Sequence, residues 1–398
     1  MPSDQPPTGV PVARLAFRPF FLLAAAFSCS AMVVWYAFWH GNRLLSPHGG
    51  TIWWHQHEMI FGFGAAVVVG FLLTAVQNWT GQRSLSGAPL LALVAIWLAA
   101  RLLLAFPMGV PDWLLLLVDV AFLPLAAIAF ARLVLSARQW RNTIFIPVLL
   151  LMAAANGAMH LVTMHGDGSL TREGGYLGVL LIALLMVQVG GRVIPFFTSR
   201  RLGRPRPTDR PGLERLVLGS TYAVVLLQLA VLLGADQAKG LLAGAMLVAG
   251  LTNGVRLARW DGIYTWREPL LWGLHLSYAF MALGMVLWAV ALTGAFAVEL
   301  ALHTLAIGGI AAMMLAIMAR VSLGHTGREI RTLPGIGVGL GVLFLAAALR
   351  SPIMEVVPRG GSWWAYDVSI FLWCAAYLIF LFHYSVPLVT TRADGKDG

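Results

Sequence analysis

Three histidines, His57, His160 and His303, sit in apolar stretches where an imidazole could hold a metal ion, and a fourth, His55, stands two residues before the first. Borderline metals and haem iron take imidazole readily, and helical bundles build such sites from side chains on facing helices. His55 and His57 lie about 200° apart around a helix, so only an irregular helix start would aim both at one centre, and His57 is the preferred ligand. Glu58 follows it and suits a partner to a ligating imidazole or a proton-transfer group. Its plain structural role would be an anion in a first helical turn. Asn156 precedes His160 by one turn on the same face, placed to orient a ligand or to bond across helices.

The methionines at 59, 159, 164, 313, 314 and 318 are soft enough for Cu(I), but Met is also an ordinary filler of apolar gaps, and none is assigned. Cys29 and Cys374 each fall inside an apolar run and no C-x-x-C-H occurs. A disulfide frame is not expected, and any haem would be held noncovalently, as b-type.

The elements that must position these groups are membrane helices. Of 398 residues, 59% are hydrophobic and 11% charged, with mean hydropathy +0.80, against roughly a quarter charged in a soluble domain. Twelve runs of about 21 residues would consume roughly 252 residues and leave loops of about ten, with no room for a folded soluble domain. The fold class is therefore all-α and polytopic. Spans are expected near 20–40, 57–77, 88–106, 113–135, 143–163, 175–198, 213–233, 240–258, 268–292, 299–320, 333–350 and 363–388. The organisation is an N-terminal tail (1–19), one twelve-helix domain (20–388) and a C-terminal tail (389–398). In the eleventh span, Pro334 and the glycines at 335, 337, 339 and 341 make the weakest helix.

With the N-terminus inside, eighteen of the 27 basic residues fall on the inner side, and only Arg43, Arg172, Lys239 and Arg359 clearly fall outside. That asymmetry puts both termini in the cytoplasm and supports an even number of spans. The net charge of +10 thereby reads as topology, and no nucleic-acid motif is present. No cleavage site follows the first apolar run, so the first span is expected to stay as an anchor. His40, His55, His57, His160 and His303 then lie toward the outer face, and His48 and His165 fall in outer loops as solvated residues. His275 lies roughly 10 Å deep from the inner side, with His325 and His383 at the inner boundary.

Spans 2 and 10 superpose without a gap from HEMIFGFGAA and HTLAIGGIAA, matching His57 to His303, Gly62 to Gly308, Thr80 to Thr326 and Gly81 to Gly327. The inner end of span 6, RVIPFFTSR, matches RVSLGHTGR of span 10. Spans 2, 6 and 10 are four apart, which suggests a three-fold pseudo-repeat of four helices. On that scheme His57 and His303 face one another at equal depth as two axial ligands of a haem. Arg192 and Arg320, in the inner parts of their spans, would meet an anion such as a haem propionate, or snorkel to the headgroups.

Four stretches and the tail RADGKDG resemble the NnrS family of bacterial membrane proteins: RLAFRPFFLLAAAF (14–27), WHQHEMIFGFGAAVVVGFLLTAVQNWTG (54–81), GGRVIPFFTSR (190–200) and HTLAIGGIAAMMLAIMARVSLGHTGR (303–328). The resemblance covers essentially the whole chain. It implies a twelve-span inner-membrane protein containing haem and copper that helps the cell withstand nitric oxide and nitrosative stress, in the setting of denitrification. The family's motif histidines match His57, His160, His275, His303 and His325. The arrangement is also similar to subunit I of haem-copper oxidases, in architecture only. Spans 6 and 7 contain no histidine, no His-His pair occurs, and the one H-x-H is in span 2, so a copper site of the oxidase kind has no obvious ligands.

Three functions compete: a haem/copper protein that binds or detoxifies nitric oxide, a secondary transporter, and a non-catalytic haem or metal sensor or scaffold. As an enzyme it would be a nitric-oxide-linked oxidoreductase fed from outside, by quinol or an electron-transfer partner, because the chain has no haem-c motif, iron-sulfur spacing or dinucleotide fingerprint. Protons could enter by Glu58 or by Asp119 in span 4, although Asp119 reads more simply as an ion-pair partner of Arg101 or Arg132.

Overall fold

A computed structural model describes residues 10–165, 168–208, 210–356 and 363–396. Its described residues form helices and turns without strands. The side chains of Met164 and His165 and the whole of Arg359 lie outside the described part.

Among the described residues there are twelve main helices: α1 (Phe17–Trp39), α2 (Gly50–Thr80), α3 (Ala88–Ala105), α4 (Asp112–Ser136), α5 (Phe145–His165), α6 (Gly168–Leu202), α7 (Pro211–Leu232), α8 (Lys239–Leu257), α9 (Pro269–Ala291), α10 (Val298–His325), α11 (Ile336–Ala348) and α12 (Trp363–Val389). Eleven are long and apolar enough to cross a membrane. In a bilayer a helix satisfies its own backbone polar groups, which is why such uninterrupted apolar runs fold this way.

Three expected boundaries move. Helix α11 has 13 residues, about 20 Å at 1.5 Å per residue, which is short of a hydrocarbon core of about 30 Å. Pro334 removes a donor and Gly335 takes a left-handed φ of 82°, so the helix cannot start before Ile336. Helix α2 starts seven residues earlier than expected, at the Gly49-Gly50 break, and His55 and His57 lie inside it rather than opening it. Helix α6 runs well beyond the expected 175–198 at both ends.

The chain divides into two compact units. The first comprises residues 1–166, 318–331 and 380–398, and so holds α1 to α5 with the final parts of α10 and α12. Within it α1 packs on α2, α2 on α4, α3 on α4, and α4 on α5. The second comprises residues 167–317 and 332–379 and holds α6 to α9, α11 and the remainder of α10 and α12. There α8 packs between α7 and α9, and α9 packs on the middle of α10.

Helices α2 and α10 share one irregularity: each turns π-helical immediately after its motif histidine, over Glu58–Gly64 and Thr304–Ala311. Both segments contain two glycines, and π-turns inside α-helices concentrate at functional sites. Helix α6 stays α-helical over its described length, so the third member of the expected repeat lacks this feature.

Candidate metal centre

In the first unit, α2 to α5 bring six polar side chains together among apolar neighbours. His57 Nδ1 lies 3.0 Å from Glu58 Oε1, and its Nε2 lies 2.7 Å from Asn156 Oδ1 and 3.0 Å from Asp119 Oδ2. His160 Nε2 lies 3.1 Å from the same Asp119 oxygen. Asn156 Nδ2 donates to Asp119 Oδ2 at 2.8 Å, which fixes the amide so that its oxygen faces His57. Arg101 lies on the far side of the carboxylates: Nη2 donates to Asp119 Oδ1, and Nε is 3.2 Å from Glu58 Oε2. Of the two partners expected for Asp119, Arg101 is the one it meets.

All six groups are buried, His57 and Glu58 completely. Burying charge without compensation is costly, and the cluster holds two carboxylates against one guanidinium. With neutral imidazoles it carries one net negative charge, which a bound cation would offset. His57, Asp119 and His160 each offer a ligand atom, all within 4.8 Å of one another. Two imidazoles and a carboxylate suit iron, copper or zinc. Because Glu58 holds Nδ1 of His57, Nε2 is left to face the centre, the carboxylate–histidine arrangement that typically supports a metal ligand.

The backbone makes room for this. A Cβ at Gly62, in the π-helical turn, would lie 2.7 Å from Glu58 Oε2 and 2.9 Å from Arg101 Nη1. Trp97 of α3 donates to the Gly62 carbonyl at 3.0 Å. Above the cluster, Trp53 stacks on His57 with ring centroids 4.6 Å apart, and its indole N–H donates to the Met159 carbonyl.

The sequence reading placed His48 in solvent, and the structure corrects this. His48 is 7% exposed, its ring centroid 5.4 Å from that of His160 and 5.1 Å from that of Trp53. The loop folds inward because the His48 N–H donates to Leu104 O at 2.9 Å and the bare Gly49 lies against Trp53, where a Cβ would come within 2.5 Å. Burial, and then the neighbouring His160, pushes the His48 imidazole below its ordinary pKa. Sequence reasoning also missed that Asp119 offers a ligand atom beside His57 and His160. The available signals were Pro47 and the Gly49-Gly50 pair around His48, and a lone carboxyl eight residues into an apolar helix.

The other expected site residues stand elsewhere. His55 stacks on Trp35 at 4.0 Å instead of joining His57. His303, in the second unit, has Nδ1 2.6 Å from the Glu299 carbonyl of its own helix, while Arg350 Nη2 lies 3.2 Å from Nε2. His275 is buried with Nδ1 3.0 Å from Leu271 O and Nε2 3.2 Å from Trp260 O. Both nitrogens thus face carbonyls, which makes it a tie between segments. His325 packs on Phe17, ring centroids 5.7 Å apart, and its carbonyl accepts from Arg392. Arg192 and Arg320 are half-buried and belong to different units, as do His57 and His303.

The sequence profile of the NnrS family, described as NnrS protein, matches residues 11–392. No curated protein matches the chain. With nearly its whole length matched, the chain belongs to the NnrS family.

Proposed function

Taking that membership as the premise, we propose that this NnrS protein is a metal-binding protein of the bacterial cytoplasmic membrane, with both termini cytoplasmic, that binds or detoxifies nitric oxide. The observation that carries the reading is the buried His57, Asp119 and His160 cluster, whose three ligand atoms lie within 4.8 Å of one another. Its donor set fits a transition ion, and copper is the metal that family resemblance favours.

His57 Nε2, Asp119 Oδ2 and His160 Nε2 would hold the ion. Glu58 keeps the His57 proton on Nδ1, and Arg101 and Asn156 pin Asp119 from two sides. A redox-active ion at this place would supply a binding position for nitric oxide and one-electron chemistry. Burial excludes bulk water from the cluster, which strengthens every electrostatic contact within it. Electrons would come from a quinol or a protein partner. Nitric oxide is small and apolar, so it can arrive through lipid.

Haem fits His57 poorly. Its Nε2 faces Asn156, Asp119 and His160 at close range and Trp53 covers the ring face, which suits a bare ion and leaves no room for a macrocycle, and no step is derived through haem.

The test is metal analysis of the detergent-purified protein after metal-replete expression. About one equivalent of transition metal is expected, lost in His57→Ala and His160→Ala and kept in His303→Ala. A metal-free wild type would overturn the reading and favour a secondary transporter.

A further inference from the structure

The His48 ring carries a polar atom that the proposed centre leaves unexplained. Its Nε2 is buried and has no hydrogen-bond partner. Its Nδ1 lies 3.6 Å from Asp112 Oδ1, beyond hydrogen-bond length, so neither nitrogen is committed and either tautomer is available. An orphaned buried donor or acceptor costs about 1–3 kcal/mol, and such atoms are uncommon enough to call for a ligand or another role. The position is nonetheless rigidly held, by the backbone bond to Leu104, the edge of Trp53 and the close approach of Gly49.

Resting on the metal reading above, we infer that His48 is the group that hydrogen-bonds a small exogenous ligand at the open position of the His57, Asp119 and His160 centre. The ligand class is a small anion or diatomic with a nitrogen or oxygen atom free to accept or donate. Three protein ligands leave a transition ion with an open position. His48 falls outside the group of mutually close ligand atoms, yet its ring neighbours that of His160. Nδ1 faces Asp112, whose side chain is 46% exposed, and Nε2 therefore points to the other side of the ring, away from that surface residue. A buried ring that packs against a ligand's ring without belonging to the ligand group suits contact with what the metal binds rather than with the metal itself.

The experiment uses full-length protein in detergent, loaded with Cu(II) and titrated with azide as the probe. Copper affinity is read by chelator competition and azide affinity from the charge-transfer band, for the wild type, His48→Ala and His48→Gln. Copper affinity is expected to stay within about threefold, while azide affinity falls about tenfold in His48→Ala and recovers in part in His48→Gln, whose amide can still donate. Unchanged azide affinity in both variants overturns the inference. So does a fall in copper affinity of about 100-fold, which would make His48 a ligand of the metal. Pulsed EPR of the wild type adds a reading that needs no variant: an exchangeable proton coupled to the Cu(II) spin that appears only with azide is expected, and its absence overturns the inference. A wild type that binds no copper sinks the metal reading itself, a separate outcome.

Discussion

Helices α2 and α10 place a histidine at the same point of the same local form, an α-helical start followed at once by a π-helical turn with two glycines. Their surroundings differ. In α2 the residue after the histidine is Glu58, and α3, α4 and α5 supply Arg101, Asp119, Asn156 and His160, all buried. In α10 the residue after the histidine is Thr304, whose hydroxyl returns to the Leu300 carbonyl of its own helix at 2.9 Å. His303 is only half-buried, and Arg350, stacked 4.0 Å from the Tyr366 ring, lies against its Nε2. The same turn therefore carries a carboxylate-rich cluster that would attract a cation in one unit and a guanidinium that would repel one in the other. The π-turn fixes where the imidazole stands on its helix, and the neighbouring helices decide what it can bind.

The largest effect that could break this contrast is on stability. Arg101→Ala leaves Glu58 and Asp119 buried without a counter-charge and is expected to cost about 3–5 kcal/mol. Arg350→Ala removes a cation that meets an imidazole and an aromatic ring, and is expected to cost about 1 kcal/mol. Denaturant unfolding in detergent compares the two, and equal losses would mean that the regions are not electrostatically distinct.

Metal affinity comes next. His57→Ala should weaken transition-metal binding by about 100-fold, the upper end of what even supporting residues contribute, with His303→Ala near the wild type. Competition titration reads both, and a matching loss in His303→Ala would restore equivalence of the two histidines.

The π-turn glycines sharpen the point. Gly62→Ala puts a methyl against Glu58 and Arg101, and Gly308→Ala puts one against Phe280. Each is expected to cost about 1–3 kcal/mol through overpacking, but only Gly62→Ala should also lower metal affinity. A loss of affinity in Gly308→Ala would refute the assignment.

The smallest effect belongs to the exposed counterpart of the Arg101–Asp119 pair. Arg392 reaches Asp394 at 2.6 Å near the end of the chain and donates to the His325 carbonyl, and the Ala393 N–H donates to Thr326. Hydrogen bonding to Arg392 holds the Asp394 carboxyl well below the usual carboxylate range. A depressed folded pKa contributes stability that is complete above the unfolded value of about 3.9 and is lost as pH falls below it. Protease protection of the tail should therefore be flat from about pH 8 to pH 5 and decline below about pH 4, and Asp394→Asn should remove that dependence. An equally steep change near neutral pH would point to a different group.

Much of the site is legible in the sequence. His57, Glu58, Asn156 and His160 stood out because an ionisable or amide side chain is conspicuous in an apolar run, and the one-turn spacing of Asn156 and His160 put them on one face. Asp119 is legible as an ion-pair residue with Arg101 or Arg132 as its partner, since a charge would be costly alone in the membrane. His303 groups with His57 on pattern alone, and what the two share is the π-helical turn that directly follows each. His48 was misplaced because loop residues near a helix start look solvated unless something folds the loop inward.

What the sequence determined by itself is the all-helical, membrane-type class, twelve apolar runs with the eleventh the weakest, and which polar residues lie within those runs. These follow from composition and from the 3.6-residue period, which are local properties. Only the tertiary structure decided that Asp119 is the carboxylate between two imidazoles, that Arg101 pairs with it, that His48 packs beside His160, and that His303 meets a cation. Which faces of neighbouring helices meet depends on shape and close approach, through small residues such as Gly49 and Gly62, and those contacts are summed over many side chains far apart in the chain.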